Sequence, residues 1–143
     1  MDIKSAIQKG KKILKDKLIL TADLDSEILL AKAINKSREY VVLNSTKIIN
    51  NVDYLNYKKL IKKRSFRKPI AHLTNVKFFW NSEFYVTEDT LIPRPDTEIL
   101  IEAVLNLTKF KKKLNLLDIG IGSGCILLSI LKERVNFYGT GID

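Results

Sequence analysis

The sequence of 143 residues is poor in side chains that bind metals or form disulfides, because it holds one cysteine and one histidine. A single cysteine excludes an intramolecular disulfide and any multi-cysteine zinc site, so we expect no metal. No apolar run reaches the roughly 18 residues that a membrane-spanning helix needs, and the N-terminus lacks the apolar segment of a signal peptide. The sequence therefore predicts a cytoplasmic protein without a membrane partner, and we expect a monomer.

Acidic residues are scarce in the first half of the chain. Residues 1–80 hold 18 Lys and Arg against 7 Asp and Glu, whereas residues 81–143 hold 7 against 9, and the formal net charge is +9. A basic surface favours an acidic partner, either nucleic acid or a ribosome-associated protein. The alternative is that the lysines only form solvated helix faces. The hydrophobic content of 45% and the charged content of 29% are typical of a soluble globular chain.

Apolar residues at helical spacing predict a small helical bundle ahead of Pro69. We expect four helices, at about residues 3–18, 24–35, 38–43 and 52–67. Ser37 is placed to cap the third helix. Leu55, Leu60 and Ile61 are expected to face inward on the fourth. The residues of that helix expected to face outward are Lys58, Lys59, Lys62, Lys63 and Arg64. Pro69 ends that helix, since proline cannot continue one.

The pattern changes after Pro69. The segments Ile70–Thr74, Lys77–Trp80 and Phe84–Val86 predict a β-hairpin that turns near Asn81 and Ser82. The stretch Leu91–Pro95 must be extended, because a residue before proline is pushed out of the helical region. A helix is expected over about residues 96–105, with two acids in its first turn, where the helix dipole favours them.

Three alternating glycines interrupt an apolar run at Leu114–Cys125. The run predicts a buried strand, and Ile126–Leu131 predicts the helix that follows the glycine loop. Glycines at such a junction let backbone N–H groups and the helix N-terminus approach a ligand closely. A second strand is expected to end at Asp143, whose carboxylate can accept hydrogen bonds from ribose hydroxyls. The alternative interpretation is a glycine-rich turn with no ligand.

The spacing of these glycines is that of one particular kind of nucleotide site. A dinucleotide fingerprint would need glycine at position 125, where this chain has cysteine. The order Asp-x-Gly-x-Gly-x-Gly is instead similar to motif I of the Rossmann-like S-adenosylmethionine methyltransferases. That motif identifies a superfamily only.

Further stretches carry a narrower resemblance. In chain order these are Leu24–Leu30, Lys63–Arg64, Pro69–Asn75, Phe79–Trp80 and, most specifically, Ile92–Glu98 with the sequence Ile-Pro-Arg-Pro-Asp-Thr-Glu. Together with the glycine motif they resemble the HemK/PrmC family, the glutamine methyltransferases of peptide-chain release factors. The resemblance spans nearly the whole chain and implies S-adenosyl-L-methionine as cofactor and release factors as protein substrate.

The resemblance also implies roles for individual residues. The loop residues would line the methionine and ribose side of the cofactor: Gly120, Ile121, Gly122, Ser123 and Gly124. Asp143 would hold the ribose hydroxyls, Asp118 would orient the loop or the amino group of the cofactor, and Arg94 would lie beside the pocket.

Three residues depart from the family pattern. His72 stands where the family usually has tyrosine, Asn75 where it usually has glycine, and Arg67 where a helix-ending glycine is common. These departures put the local turn geometry in question. We expect His72, as a strand residue, and Cys125 to serve packing rather than catalysis, and Phe79 and Trp80 to form core between two domains.

The predicted fold class is α + α/β, in three segments. Residues 1–68 would form a helical domain that docks the substrate, residues 69–90 a β-hairpin linker, and residues 91–143 the first βαβ part of a Rossmann-like methyltransferase domain. That last domain is expected to be incomplete, because an open parallel sheet of this kind normally has five or more strands.

The family's catalytic Asn-Pro-Pro-Tyr motif does not occur in the 143 residues, so the catalytic residues stay unknown. We expect the chain by itself to be inactive and truncated, and a longer parent to methylate the glutamine of the Gly-Gly-Gln loop in release factors. Two alternatives stay open. One is a related methyltransferase acting on another protein or on nucleic acid, and the other is a binding module without catalysis.

Overall fold

The computed structural model describes all 143 residues, and the chain divides into two compact units. The helical unit comprises Met1–Thr74, and the α/β unit comprises Asn75–Asp143. The helical unit contains five helices: α1 (Ile3–Asp16), α2 (Ala22–Ala33), α3 (Arg38–Leu43), α4 (Asn51–Ser65) and α5 (Ile70–Thr74). No helix in either unit is both long enough and apolar enough to cross a membrane.

Three of these helices begin at a residue whose side chain accepts the backbone N–H three positions farther on. These caps are Asp2 at 2.7 Å, Ser37 at 3.2 Å and Asn50 at 2.8 Å. The prediction that Ser37 caps α3 is thereby confirmed. At the first cap, hydrogen bonds from the N–H and hydroxyl of Ser5 hold the pKa of Asp2 below its usual value.

The residue after α5, Asn75, has a left-handed backbone (φ 61°), and so do the residues at the ends of three longer helices: Leu18 (φ 55°), Asn35 (φ 52°) and Arg67 (φ 65°). At the ends of these three longer helices the next N–H reaches back to a carbonyl five residues earlier, which closes the helix in a Schellman motif. Glycine is the usual residue at this position because a side chain there is strained. Arg67, whose departure from glycine put this turn in question, adopts the conformation that glycine would have.

The core of the helical unit lies between α1, α2 and α4 and closes within residues 1–74. Helix α4 buries Tyr57 and Ile61, whereas Leu55 is 54% exposed. The prediction that Leu55 faces inward was wrong, because the inward face of α4 is the one that carries Tyr57. The prediction that Arg64 faces outward was also wrong, because Arg64 turns in to pair with the buried Asp25. Gly10 of α1 makes room for that ring, since a Cβ at Gly10 would overlap the Tyr57 hydroxyl.

Residues 70–74 form helix α5 and not a strand of the hairpin. The strand prediction for these residues, His72 included, was therefore wrong. Five residues with several apolar side chains fit either structure, and packing decides. Here Leu73 is buried in the helical core, and the Thr74 hydroxyl donates to the carbonyl of Ile70, one turn back, at 3.0 Å.

The hairpin consists of β1 (Val76–Phe79) and β2 (Ser82–Tyr85), which pair antiparallel from Val76 opposite Tyr85 to Phe79 opposite Ser82. The two-residue turn has positive φ at both Trp80 (43°) and Asn81 (56°), as a type I′ turn requires. The prediction of a hairpin turning beside Asn81 is confirmed. Phe79 lies in the core of the α/β unit and meets Phe84 edge-to-face, with ring centroids 6.2 Å apart.

The remainder of the α/β unit is a 3₁₀ turn followed by a helix and one βαβ segment. The turn spans Pro95–Thr97 and leads into α6 (Glu98–Leu107). The βαβ segment is β3 (Asn115–Ile119), α7 (Cys125–Glu133) and β4 (Tyr138–Ile142), with β3 and β4 paired in parallel. Strand β3 was predicted to be buried, and that was wrong: no residue of β3 is buried, because the face of this two-stranded sheet that carries Leu117 and Ile119 is exposed. The chain is therefore a helical part joined to a mixed α/β part, in agreement with the predicted class at that level.

Candidate functional site

The loop between β3 and α7 owes its shape to glycine. Gly120, Gly122 and Gly124 have φ of 79°, 51° and 77°, a region that side chains other than glycine rarely adopt. A Cβ at Gly120 or Gly122 would meet no neighbouring atom, so backbone conformation rather than crowding requires glycine there. The N–H groups of Gly120, Ile121 and Gly124 donate to carbonyls of the chain, so those of Gly122 and Ser123 and the N-terminus of α7 are the ones left for a ligand.

The end of β4 fixes the loop in place. The carbonyl of Ile142 accepts the N–H of Gly120 at 2.8 Å and that of Ile121 at 3.1 Å. This pair of hydrogen bonds brings Asp143, the next residue, beside the glycine loop. Gly141 permits the approach, because a Cβ there would overlap the side chain of Ile121.

A cavity of about 600 Å³ lies in front of the loop. One wall is the glycine loop with the start of α7, and the other is the segment from Asp89 to Thr97. Its lining residues are Asp89, Thr90, Leu91, Ile92, Pro93, Arg94, Thr97, Gly120, Ile121, Gly122, Ser123, Cys125, Ile126 and Asp143. The volume falls in the range of about 300–1,000 Å³ that small-molecule sites occupy.

Six of the predicted site residues meet on this cavity, namely Arg94, Gly120, Ile121, Gly122, Ser123 and Asp143. Gly124 does not line it; it directly precedes α7 as the N-cap residue, with a left-handed backbone. Cys125 is buried as the first residue of α7.

Asp118 lies elsewhere. It pairs with Gly141 in the β ladder and lines a smaller cavity of about 200 Å³ with apolar neighbours from α6 and α7. Its Oδ2 atom is buried and has no hydrogen-bond partner. The structure therefore does not bring Asp118 to the large cavity with the other predicted residues.

Sequence reasoning missed one end of the opposite wall. Asp89 and Thr90 line the cavity from within a short turn that is closed by the N–H of Thr90 donating to the carbonyl of Thr87 at 3.1 Å. The cluster Thr-Glu-Asp-Thr at positions 87–90 is a turn signal that could have been noticed. The local pattern predicts the turn but not that it faces the glycine loop, which lies about thirty residues farther along the chain.

The donor set of the cavity suits a polar ligand with hydroxyl groups. Asp143 and Asp89 supply carboxylates, Arg94 a guanidinium, and Gly122 and Ser123 their backbone N–H groups. The buried Ser123 Oγ has no hydrogen-bond partner within the protein, so a bound ligand could provide one. These groups can bind and orient a ligand. No three His, Cys, Asp or Glu side chains of the chain come together as a metal site would require.

Comparisons with known proteins agree on one group of relatives. Residues 5–74 match the model of the PrmC N-terminal domain. The release factor glutamine methyltransferase of Leptospira interrogans is 42% identical over 99% of this chain and 50% of its own length. The protein of the same name from Shewanella oneidensis is 37% identical over 86% of this chain and 43% of its own length. A bifunctional methyltransferase of Rickettsia bellii is 36% identical over 84% of this chain and 26% of its own length. The chain thus spans about half the length, or less, of these curated relatives.

Proposed function

Because the chain belongs to the HemK/PrmC family, we propose that its cavity holds S-adenosyl-L-methionine for methyl transfer to the glutamine side-chain amide in the Gly-Gly-Gln loop of release factors. The observation that carries the proposal is the meeting of the glycine loop, Asp143 and the Pro93–Arg94 wall on one cavity. The α/β unit would be the start of a Rossmann-like methyltransferase domain.

The residues of the cavity have separate roles in this proposal. The carboxylate of Asp143 would accept hydrogen bonds from the ribose hydroxyls, and the N–H groups of Gly122 and Ser123 with the Ser123 hydroxyl would hold the polar end of the cofactor. The bound cofactor supplies an activated methyl group on its sulfonium sulfur. Arg94 lies on the facing wall, where its guanidinium suits a carboxylate.

The helical unit would dock the protein substrate. It carries 17 Lys and Arg against 7 Asp and Glu, so its field attracts an acidic partner and speeds encounter. We further propose that the enzyme containing both units is cytoplasmic and monomeric. The family's Asn-Pro-Pro-Tyr motif, by resemblance the group that orients the amide, is not among the 143 residues. Orientation of this kind contributes roughly 7–11 kcal/mol, so we expect these residues alone not to transfer the methyl group.

Cofactor binding can be tested on the 143-residue chain with amide NMR. We expect millimolar S-adenosyl-L-methionine to shift the resonances of Gly120 and Gly122 and to leave that of Gly10 in the helical unit unchanged. Asp143→Ala should abolish the shifts, whereas Asp118→Asn, which is not on the cavity, should keep them. Shifts spread over both units, or none at all, would contradict the assignment of the cavity.

The reaction itself is tested by mass spectrometry of a release factor after incubation with the cofactor. A longer protein that contains these 143 residues should add one methyl group to the glutamine, and the 143-residue chain none. A gain from the short chain would overturn the expectation that it is inactive.

A second candidate function is methylation of nucleic acid or another protein, favoured by the excess of positive charge on the helical unit. Transfer RNA and ribosomal proteins offered in the same assay decide between the two. Methylation of either in place of the release factor would move the assignment to this second function.

A further inference from the structure

A second cavity lies in the helical unit, between α1 and α4, and nothing in the proposed methyl transfer uses it. Its volume is about 250 Å³, and its floor is formed by Gly10, Tyr57 and Ile61. Gly10 has no side chain, and the Tyr57 hydroxyl fills the space that a Cβ would take, so the two helices meet closely beneath the recess. A drug-sized ligand fills about 300–1,000 Å³, so this recess has room for one large apolar side chain rather than for a cofactor.

Three lysines surround the recess: Lys9 and Lys12 on α1 and Lys58 on α4. None of the three forms an ion pair with a carboxylate of the chain, whereas their neighbours Lys11 and Lys15 both pair with Asp23. The rim therefore presents positive charge that the helical unit does not neutralise. An apolar recess with an uncompensated basic rim is complementary to an apolar side chain flanked by acidic residues.

We propose that this recess between α1 and α4 is a docking site for an acidic protein segment that inserts one apolar side chain, such as leucine, between the lysines. The site goes beyond the proposed methyl transfer and does not rest on it, since it lies wholly within the helical unit. Leucine or phenylalanine would pack on Tyr57 and Ile61, and flanking glutamates or aspartates would face the lysines.

The arginines of the helical unit favour a protein partner over nucleic acid. Arginine is the residue that binds phosphate through two hydrogen bonds and stacks on bases. All three arginines of the unit are engaged with the chain itself. Arg38 pairs with Glu27 at 2.8 Å, Arg64 pairs with Asp25 at 2.7 Å, and Arg67 donates to the carbonyl of Lys17 at 3.4 Å. The floor of the recess, moreover, is aliphatic and aromatic carbon, which cannot donate hydrogen bonds to a phosphate.

The test is fluorescence anisotropy of a labelled peptide of glutamate and alanine with one central leucine, titrated with the 143-residue chain. We expect saturable binding, and a loss of about tenfold or more when the leucine is replaced by serine, since the apolar side chain that fills the recess is lost. The variant Lys12→Glu with Lys58→Glu should weaken binding by at least about tenfold.

The matched control is Lys59→Glu with Lys63→Glu, which changes the net charge equally. Both residues are exposed on α4 and lie on the opposite side of the helix from Tyr54, Lys58 and Ile61. We expect this variant to weaken binding by less than about threefold. All four positions are exposed, so circular dichroism should show the same helix content in both variants.

Three results would overturn the proposal. The first is equal weakening by the two double variants, which would mean that charge acts without the recess. The second is equal affinity for the leucine and serine peptides. The third is that a single-stranded RNA of the same charge binds more tightly than the peptide and is weakened equally by both variants, which would make the basic surface a nucleic-acid site.

Discussion

At the scale of single residues, the absence of a side chain at Gly10 decides how closely α1 and α4 approach. Glycine within a helix costs about 1 kcal/mol relative to alanine, yet a Cβ here would overlap the Tyr57 hydroxyl and crowd its ring. That hydroxyl is buried and lies near Ser26 without reaching a hydrogen-bond partner. The helix therefore tolerates a weak helix former because the tyrosine needs its space.

Gly10→Ala should destabilise the helical unit by about 1–3 kcal/mol, because overpacking outweighs the gain in helix propensity. Tyr57→Phe alone should be neutral or slightly stabilising, since it removes a buried hydroxyl without a partner. The double variant Gly10→Ala with Tyr57→Phe should recover part of the lost stability, because the overlapping hydroxyl is gone. Recovery should be incomplete, because the new Cβ would still crowd the ring carbon that carried the hydroxyl. Urea unfolding followed by helical circular dichroism measures all three. A stabilising Gly10→Ala would contradict the packing.

The same tyrosine should make the protein sensitive to alkali. Burial raises the pKa of Tyr57 from 10.0 to about 12, against a smaller opposing effect of Ser26. A group whose folded pKa is raised contributes stability that is complete below its unfolded pKa and is lost as the pH passes its folded pKa. Stability should therefore fall from about pH 10 to about pH 12, and less so in Tyr57→Phe. Parallel pH profiles of the two proteins would exclude Tyr57 as the cause.

A buried ion pair links α2 and α4. Arg64 and Asp25 lie 2.7 Å apart, with side chains 17% and 5% exposed, and the Thr21 hydroxyl also donates to Asp25 at 2.8 Å. Arg64→Met should cost about 3–5 kcal/mol, because it leaves a buried carboxylate without its partner. Asp25→Asn should cost less, since Arg64 can turn toward solvent. In a double-mutant cycle measured by urea unfolding, additive effects would show that the two residues do not interact.

At the scale of elements, three helix ends use residues that are poorly suited to them. Leu18 follows α1 with φ 55° and is 78% exposed, so it gains little from packing. A left-handed backbone costs a non-glycine residue about 1–2 kcal/mol, which a glycine variant would avoid. Glycine is also more flexible in the unfolded chain, and this opposing effect destabilises the variant by about 0.4–1 kcal/mol.

Leu18→Gly should therefore stabilise the helical unit by up to about 1 kcal/mol. Leu20→Gly is the control, because Leu20 is fully exposed but does not have positive φ. Leu20→Gly should destabilise the helical unit, because it adds backbone freedom to the unfolded chain and relieves no strain in the folded one. Thermal unfolding of the two variants measures the difference, and equal effects would argue against a left-handed turn at Leu18.

The elements that the sequence predicts correctly are those that carry their own local signal. The helix cap at Ser37, the two-residue turn beside Asn81 and the strand–glycine–helix junction before Cys125 are examples. Ile70–Thr74 was assigned wrongly because five residues are too few to show a period. The inward position of Tyr57 rather than Leu55 depends on Gly10, which lies on another helix. The wall of the large cavity at Asp89 likewise depends on residues far away in the chain.

At the scale of the whole molecule, the two units differ in how much of their apolar surface they cover. The helical unit buries thirteen apolar side chains in one cluster whose members all lie between Ile3 and Leu73. In the α/β unit, every residue of β4 is exposed, and so are Leu117 and Ile119 of β3, at 61% and 74%. Stability is therefore expected to be concentrated in the helical unit.

We predict that Met1–Thr74 expressed alone folds as an independent domain. Its helices, its caps and the Arg64–Asp25 pair all lie within these residues, and a domain of this length can fold by itself when its core is closed. Circular dichroism should show a helical spectrum and a cooperative melt at a midpoint close to that of the helical signal in the 143-residue chain. Because Gly10 and Tyr57 are both inside the segment, Gly10→Ala should lower that midpoint in the short and the long protein alike. A featureless spectrum would show that the helical core depends on residues after Thr74.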